Sequence, residues 1–410
     1  MVELKYILIT YFPPTLFFAF IYSTKIRTFE AISDINSILN HYKMKKIFIT
    51  IFISTFISVT FAQTGNYRLL IGTYTAPGKS QGIYSYKVDV ANGVFTQQSV
   101  TTGVSNPSFL ALTPDKKFVY SVSESADGSA ACAFSFDEKT AKLTLINLSL
   151  TKSDGPCFVS VTNNHVFTAN YGGGSLSVFG RKTDGSLTNV QQVIQHVGKS
   201  INSERQGEPH VHQVLLTPDK KFLLANDLGT DKVTVYKYNS DASSNVLVPF
   251  DSITLKLGSG PRHTAFSKDG KLMYVLQEID GTLSVLKINN GKLKLLQEAT
   301  VAVKDGIVNR GADIHFSPDG KFLYATNRGT ANDITCFAVG KDGKLTFKQQ
   351  VSTGGDGPRN FAITPDGQYV LIAHQFTDNI VVFKRNTTTG MLSDTGKRLN
   401  IGSPVCLLFY

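Results

Sequence analysis

The sequence predicts an all-β fold, a seven-bladed β-propeller spanning residues 66–410. Three observations carry this. One unit of about fifty residues recurs seven times, a period that means propeller blades or solenoid turns. Each copy separates short apolar runs with Asp-Gly, Asn-Gly or Gly-Gly steps. The last copy stops after one strand, while the first segment holds three.

The heads of the copies fall at Pro107, Pro156, Val211, Pro261, Gly311, Pro358 and Pro404, with spacings of 49, 55, 50, 50, 47 and 46 residues. The clearest copies read GPRHTAFSKDGKLMYVLQEIDGTLSVLKI from Gly260, GADIHFSPDGKFLYATNRGTANDITCFAV from Gly311 and GPRNFAITPDGQYVLIAHQFTDNIVVFKR from Gly357. Each reads as strand, SPDG-type turn, strand, turn, strand, NG-type turn, strand. The glycine steps supply the positive φ of tight hairpins. In the third strand, Leu283, Val285, Leu286 and Ile288 alternate with polar interruptions. Four antiparallel strands form one blade, and packing blades in a ring buries both faces of each sheet. Closure follows from the chain ends: YRLLIGTY, GIYSYKVD and GVFTQQS complete the blade that GSPVCLLFY begins. No length remains for a second domain after residue 66.

Upstream, Met44-Lys-Lys and a following apolar stretch end in Thr60-Phe61-Ala62, the pattern of a secretory signal peptide over residues 44–62. Cleavage there predicts an exported protein without a stable membrane span; the alternative is a retained anchor. Residues 1–43 hold a second apolar stretch broken by Pro13 and Pro14, and read as an upstream extension or gene-start artefact, with translation beginning at Met44.

Composition is that of a soluble globular protein, 42% apolar and 18% charged. Of the net charge of +10, +7 remains once residues 1–62, with six basic and three acidic side chains, are set aside. No basic stripe or nucleic-acid module accompanies it, which excludes nucleic acid as a partner. The excess is a solvated surface or a channel prepared for an anionic ligand. The four cysteines lie in apolar runs without a CxxC pair. An oxidising compartment would permit a Cys132–Cys157 disulfide. Gly172–Gly174 precedes a strand, not a helix, so it is a hairpin turn and no phosphate cradle.

Aligning the heads registers polar residues around one channel. Beside the heads lie His210 and His212, Arg262 and His263, Arg310 and Asp313, and Arg359, with His315 two residues past Asp313. Seventeen residues past the heads lie Glu124, Glu278, Arg328 and Gln375, with Asp227, Asn327 and His374 one residue earlier. Asn170 and Tyr171 fill this region in the copy with the shorter turn. Charges in otherwise apolar strands need a partner or a ligand. Arg310, Arg359, His263, His315, His374, Asn170 and Asn327 are candidate substrate-binding residues. His210 and His212, two apart on a strand, share a face that would also suit a metal, but no third ligand is evident.

The GPRH, SPDGK and ADIH steps, with PHVHxxxxTPDxKxxxxxDLGxDK between them, resemble the lactonase family of seven-bladed propellers across residues 66–410. That family includes 6-phosphogluconolactonases of propeller type and a carboxymuconate-lactonising enzyme. The resemblance implies a hydrolase of a small sugar-acid lactone, 6-phosphogluconolactonase-like, with no metal or other cofactor. The matching catalytic group is His210 or His212 with Arg262, Glu278 and Arg328. Lactone hydrolysis needs a base for water, donors for the oxyanion and an acid for the leaving alkoxide. Glu278 is assigned as base, Arg262 and Arg328 as clamps and a histidine as acid, with acid and base open to exchange. A phosphorylated substrate sits uneasily with export. A non-catalytic exported propeller binding carbohydrate or protein, and a muconate-type lactone cycloisomerase, are the alternatives. The protein is expected to be a monomer.

Overall fold

A computed structural model describes residues 66–75, 78–125, 128–302 and 306–410. The expected upstream extension and signal peptide, 1–43 and 44–62, lie outside the described residues. Among those residues the chain forms seven four-stranded sheets, every strand pairing antiparallel to its neighbour. They are numbered here as blades 1 to 7 in the order of their heads. Blade 4 is typical: Pro261–Phe266 innermost, then Leu272–Gln277, Thr282–Asn289 and Lys292–Thr300. Blade 7 is the stitched one. Pro404–Phe409 is its innermost strand and pairs with Asn66–Thr73, which continues through Ile83–Asp89 to Val94–Thr101.

The SPDG-type turn has a repeated chemistry. The hydroxyl at its first position donates to the aspartate two residues on in blades 1, 3, 4, 5 and 6: Thr113 to Asp115, Thr217 to Asp219, Ser267 to Asp269, Ser317 to Asp319 and Thr364 to Asp366. The same aspartates accept the backbone N–H two residues further along. The left-handed residue is glycine in blades 4 to 6, but Lys116 and Lys220 occupy it in blades 1 and 3 at φ 56°.

Both faces of each inner sheet are buried, which refines the expected alternation. Leu283 and Val285 pack with Leu276, Ile314 and Leu323 toward blade 5. Leu286 and Ile288 pack with Met273, Leu224 and Val235 toward blade 3. Adjacent residues on a strand point to opposite faces, so each strand feeds two seams. Each of the seven boundaries between neighbouring blades holds one apolar cluster of described residues. Polar stitches recur between blades: the Tyr120 hydroxyl donates to the Gly185 carbonyl and the Tyr274 hydroxyl to that of Gly343, each at 2.7 Å.

The cysteines are free and buried. Cys132 packs into the seam between blades 7 and 1 and Cys157 into that between blades 2 and 3, so the disulfide that an oxidising compartment would permit is not formed.

Candidate active site

The innermost strands of blades 2 to 6 carry a β-bulge just past the head. The register against the second strand shifts between Pro156 and Phe158, Val211 and Gln213, Pro261 and His263, Gly311 and Ile314, and Pro358 and Asn360. A bulge leaves its extra residue unpaired and re-aims its side chain. The residues so released include Cys157, His212, Arg262 and Arg359.

Three of these reach one cavity of about 290 Å³, lined by Tyr74, Glu124, Gly155, Cys157, Tyr171, Gly172, Arg205, His212, Glu278, Arg328 and Arg359. Arg262 lies immediately beneath, along the wall of a void of about 10 Å³ that it shares with Phe109, His263 and Arg359. The cavity is at the small end of the range for small-molecule sites, roughly 300–1,000 Å³.

Glu278 is its electrostatic centre. Arg205 Nη2 approaches Oε1 at 2.6 Å, while Arg262 Nε and Arg328 Nη2 donate to Oε2 at 2.9 and 2.8 Å. Burial alone would raise the carboxyl. The guanidiniums of Arg328 and Arg262, with His212 and Arg205, overcome that and hold it well below the usual carboxylate range. Arg262 also donates to the Ala312 carbonyl.

His212 places Nε2 3.9 Å from Glu278 Oε2, and its ring meets Tyr171 edge-on at 5.5 Å. Burial, reinforced by Arg262 and His263, holds the imidazole well below its ordinary range, so it is neutral. Cys157 Sγ lies 3.8 Å from His212 Nδ1, but burial pushes the thiol up to about 12 and leaves it inert.

Arg359 differs from the other three arginines. Its guanidinium stacks over the Tyr74 ring, 5.3 Å from the centroid, and has no ion-pair partner among the described residues. Arg328 Nε is buried with no hydrogen-bond partner. The cavity thus has guanidinium donors in excess of the carboxylates that hold them.

Of the expected catalytic residues, His212, Arg262, Glu278 and Arg328 come together. His210 does not line the cavity. Its ring stacks on Tyr171 at 4.5 Å and its Nδ1 lies 2.9 Å from the Tyr171 carbonyl, so it braces that tyrosine from behind. The bulge at His212 breaks the alternation that would have aimed both histidines one way.

Among the expected binding residues only Arg359 lines the cavity. His263 and His315 instead flank buried Asp313, whose Oδ1 lies 2.7 Å from His263 Nδ1 and whose Oδ2 lies 2.8 Å from His315 Nε2. Asn327 and Arg310 form a backbone brace: the Arg310 N–H donates to Asn327 Oδ1 at 2.8 Å, and the Arg310 side chain is exposed. Asp227 accepts the His210 N–H in the same manner. Asn170 is buried and donates to Ser175 and Ser177 within blade 2. His374 is packed beneath Gly355, where a Cβ would meet its ring at 2.5 Å.

The residue that the head alignment missed is Arg205. It sits on the loop between blades 2 and 3, whose spacing of 55 is the longest of the six and was the available signal. Asp231 clamps this loop, accepting from Gln206 Nε2 at 2.8 Å and from the Ser200 hydroxyl.

Comparison with known proteins identifies the family. The chain is 35% identical to the 6-phosphogluconolactonase of Formosa agariphila, over 83% of this chain and 99% of that protein. It is 34% identical to the 6-phosphogluconolactonase of Bacillus subtilis, over 83% and 97%. The solved structure of the Pseudomonas aeruginosa periplasmic gluconolactonase superposes with a TM-score of 0.79 at 35% identity, covering 84% of this chain and 99% of that one. Residues 68–409 match the family described as Lactonase, 7-bladed beta-propeller, and the chain therefore belongs to that family of enzymes.

Proposed function

We propose that the protein is an exported hydrolase that opens the lactone of a sugar acid bearing an anionic group, in the manner of a 6-phosphogluconolactonase. The carrying observation is the guanidinium excess: Arg205, Arg262 and Arg328 share Glu278, while Arg359 is left for a ligand. A planar fork of N–H donors suits carboxylate or phosphate. Likeness to a periplasmic gluconolactonase, together with the leader-like segment 44–62, supports export.

In this reading water attacks the lactone carbonyl and His212, neutral at ordinary pH, accepts its proton. The imidazolium so formed is offset by Glu278 at 3.9 Å. Glu278, held by three guanidiniums, serves in this reading as their anchor. Arg328, which lines the cavity and whose Nε has no protein partner, donates to the developing oxyanion, an effect worth roughly 10²–10³ in rate; Arg262, beneath the cavity, holds Glu278 in place. Arg359 receives the anionic substituent.

The test is base uptake at constant pH on a panel including gluconolactone with and without its 6-phosphate. The expected result is faster opening of the charged lactone. A panel on which no lactone opens above the solvent rate would overturn the reading in favour of a binding module.

A further inference from the structure

The reaction above leaves the ring oxygen as an alkoxide in need of a proton, and His212 is occupied with the proton of water. Glu124 immediately follows the second strand of blade 1, Phe118–Ser123, in the slot that Glu278 occupies in blade 4, seventeen residues past its head. Blades 1 and 4 are three apart in a ring of seven, as far apart as the ring allows. Both carboxyls line the same cavity. A lactone seated between them would present its carbonyl to one side and its ring oxygen to the other.

We propose that Glu124 is the general acid that protonates the leaving ring oxygen, a role that rests on the lactonase reading. No guanidinium lies within ion-pair distance of Glu124 among the described residues, in contrast to Glu278. It accepts the hydroxyl hydrogen of Ser108, the residue that follows the blade 1 head. The charged and titratable groups around it are Arg359 from blade 6, Tyr74 from blade 7 and Cys157 from blade 2, with Glu278 beyond. Burial raises its carboxyl, outweighing the Ser108 hydrogen bond and the pull of Arg359. Two carboxyls of one site pushed in opposite directions divide the labour of acid and ionised partner.

The step balances. The water oxygen bonds to the carbonyl carbon as His212 takes one proton; the carbon–ring oxygen bond breaks and that oxygen takes the proton of Glu124. Transfer of the proton from His212 back to Glu124 through solvent restores both groups, and the product is the open hydroxy acid.

The test compares wild type with Glu124→Gln and Glu124→Asp on gluconolactone and on its ring-sulfur analogue, whose leaving thiolate needs no acid. Glu124→Gln is expected to lower kcat on the oxygen lactone about 10²-fold with little change in KM. The loss on the sulfur lactone should be much smaller, and Glu124→Asp should recover part of the rate. The wild-type kcat should fall as pH rises and Glu124 deprotonates, at a pH above the ordinary carboxylate range. Glu124→Gln should lack that limb. Equal losses on both lactones, or a raised KM with kcat unchanged, would make Glu124 a partner of Arg359 only and overturn the proposal. A fully active Glu124→Gln beside active wild type overturns this inference alone. Wild type inactive on every lactone overturns the functional reading and this inference with it.

Discussion

The seams between blades and the channel they enclose are built from the same strands under opposite rules. In the seams each repeat places the same kind of residue at the same slot: Val166, Leu223, Met273, Leu323 and Val370 stand near the start of successive second strands, all fully buried. In the channel the equivalent slots differ from blade to blade. The bulge residue is Cys157, His212, Arg262 or Arg359, and the slot seventeen past the head is Glu124, Glu278, Arg328 or Gln375. Sameness closes the ring and difference makes the site. Any change that damages one region while sparing the other tests this division.

The largest effect should come from the closure strand. Deleting residues 404–410 removes every partner of the inner edge of Asn66–Thr73 and opens the ring between blades 6 and 1. The truncated chain should lose the cooperative thermal transition seen by circular dichroism. A truncated chain that melts like the intact one would break the account of closure.

Phe167→Ala acts on a seam alone. Phe167 is fully buried between blades 2 and 3, edge-on to Tyr238 at 5.5 Å. Its truncation should cost about 3–5 kcal/mol in denaturant unfolding. Turnover per folded molecule should stay at the wild-type value. A fall in kcat at unchanged stability would show that seam and channel are not separate.

The same division explains what the sequence made legible. The ring was readable because heads and SPDG-type turns repeat, and their hydrogen bonds are the same in five blades. Glu278, Arg262, Arg328 and His212 were readable because head alignment finds charges where seams need apolar side chains. Two kinds of residue misled. Asn327, like Asp227 in the equivalent slot, carries a polar group one position before the channel slot, where it braces the backbone at the head of its own blade. His210 shares a strand face with His212 only if the strand is regular, and the bulge that makes it irregular has no sequence signature of its own. Arg205 was invisible to alignment because it belongs to the one long insertion and to no repeat.

Arg359→Met tests the central claim that the channel's unpaired guanidinium receives an anionic lactone. The measurement is kcat/KM on gluconolactone 6-phosphate and on gluconolactone, by base uptake at constant pH. Loss of a charged hydrogen-bonding partner should lower the value for the phosphorylated lactone by about 30-fold and leave the neutral one nearly unchanged. An equal loss on both lactones, or none on either, would contradict it.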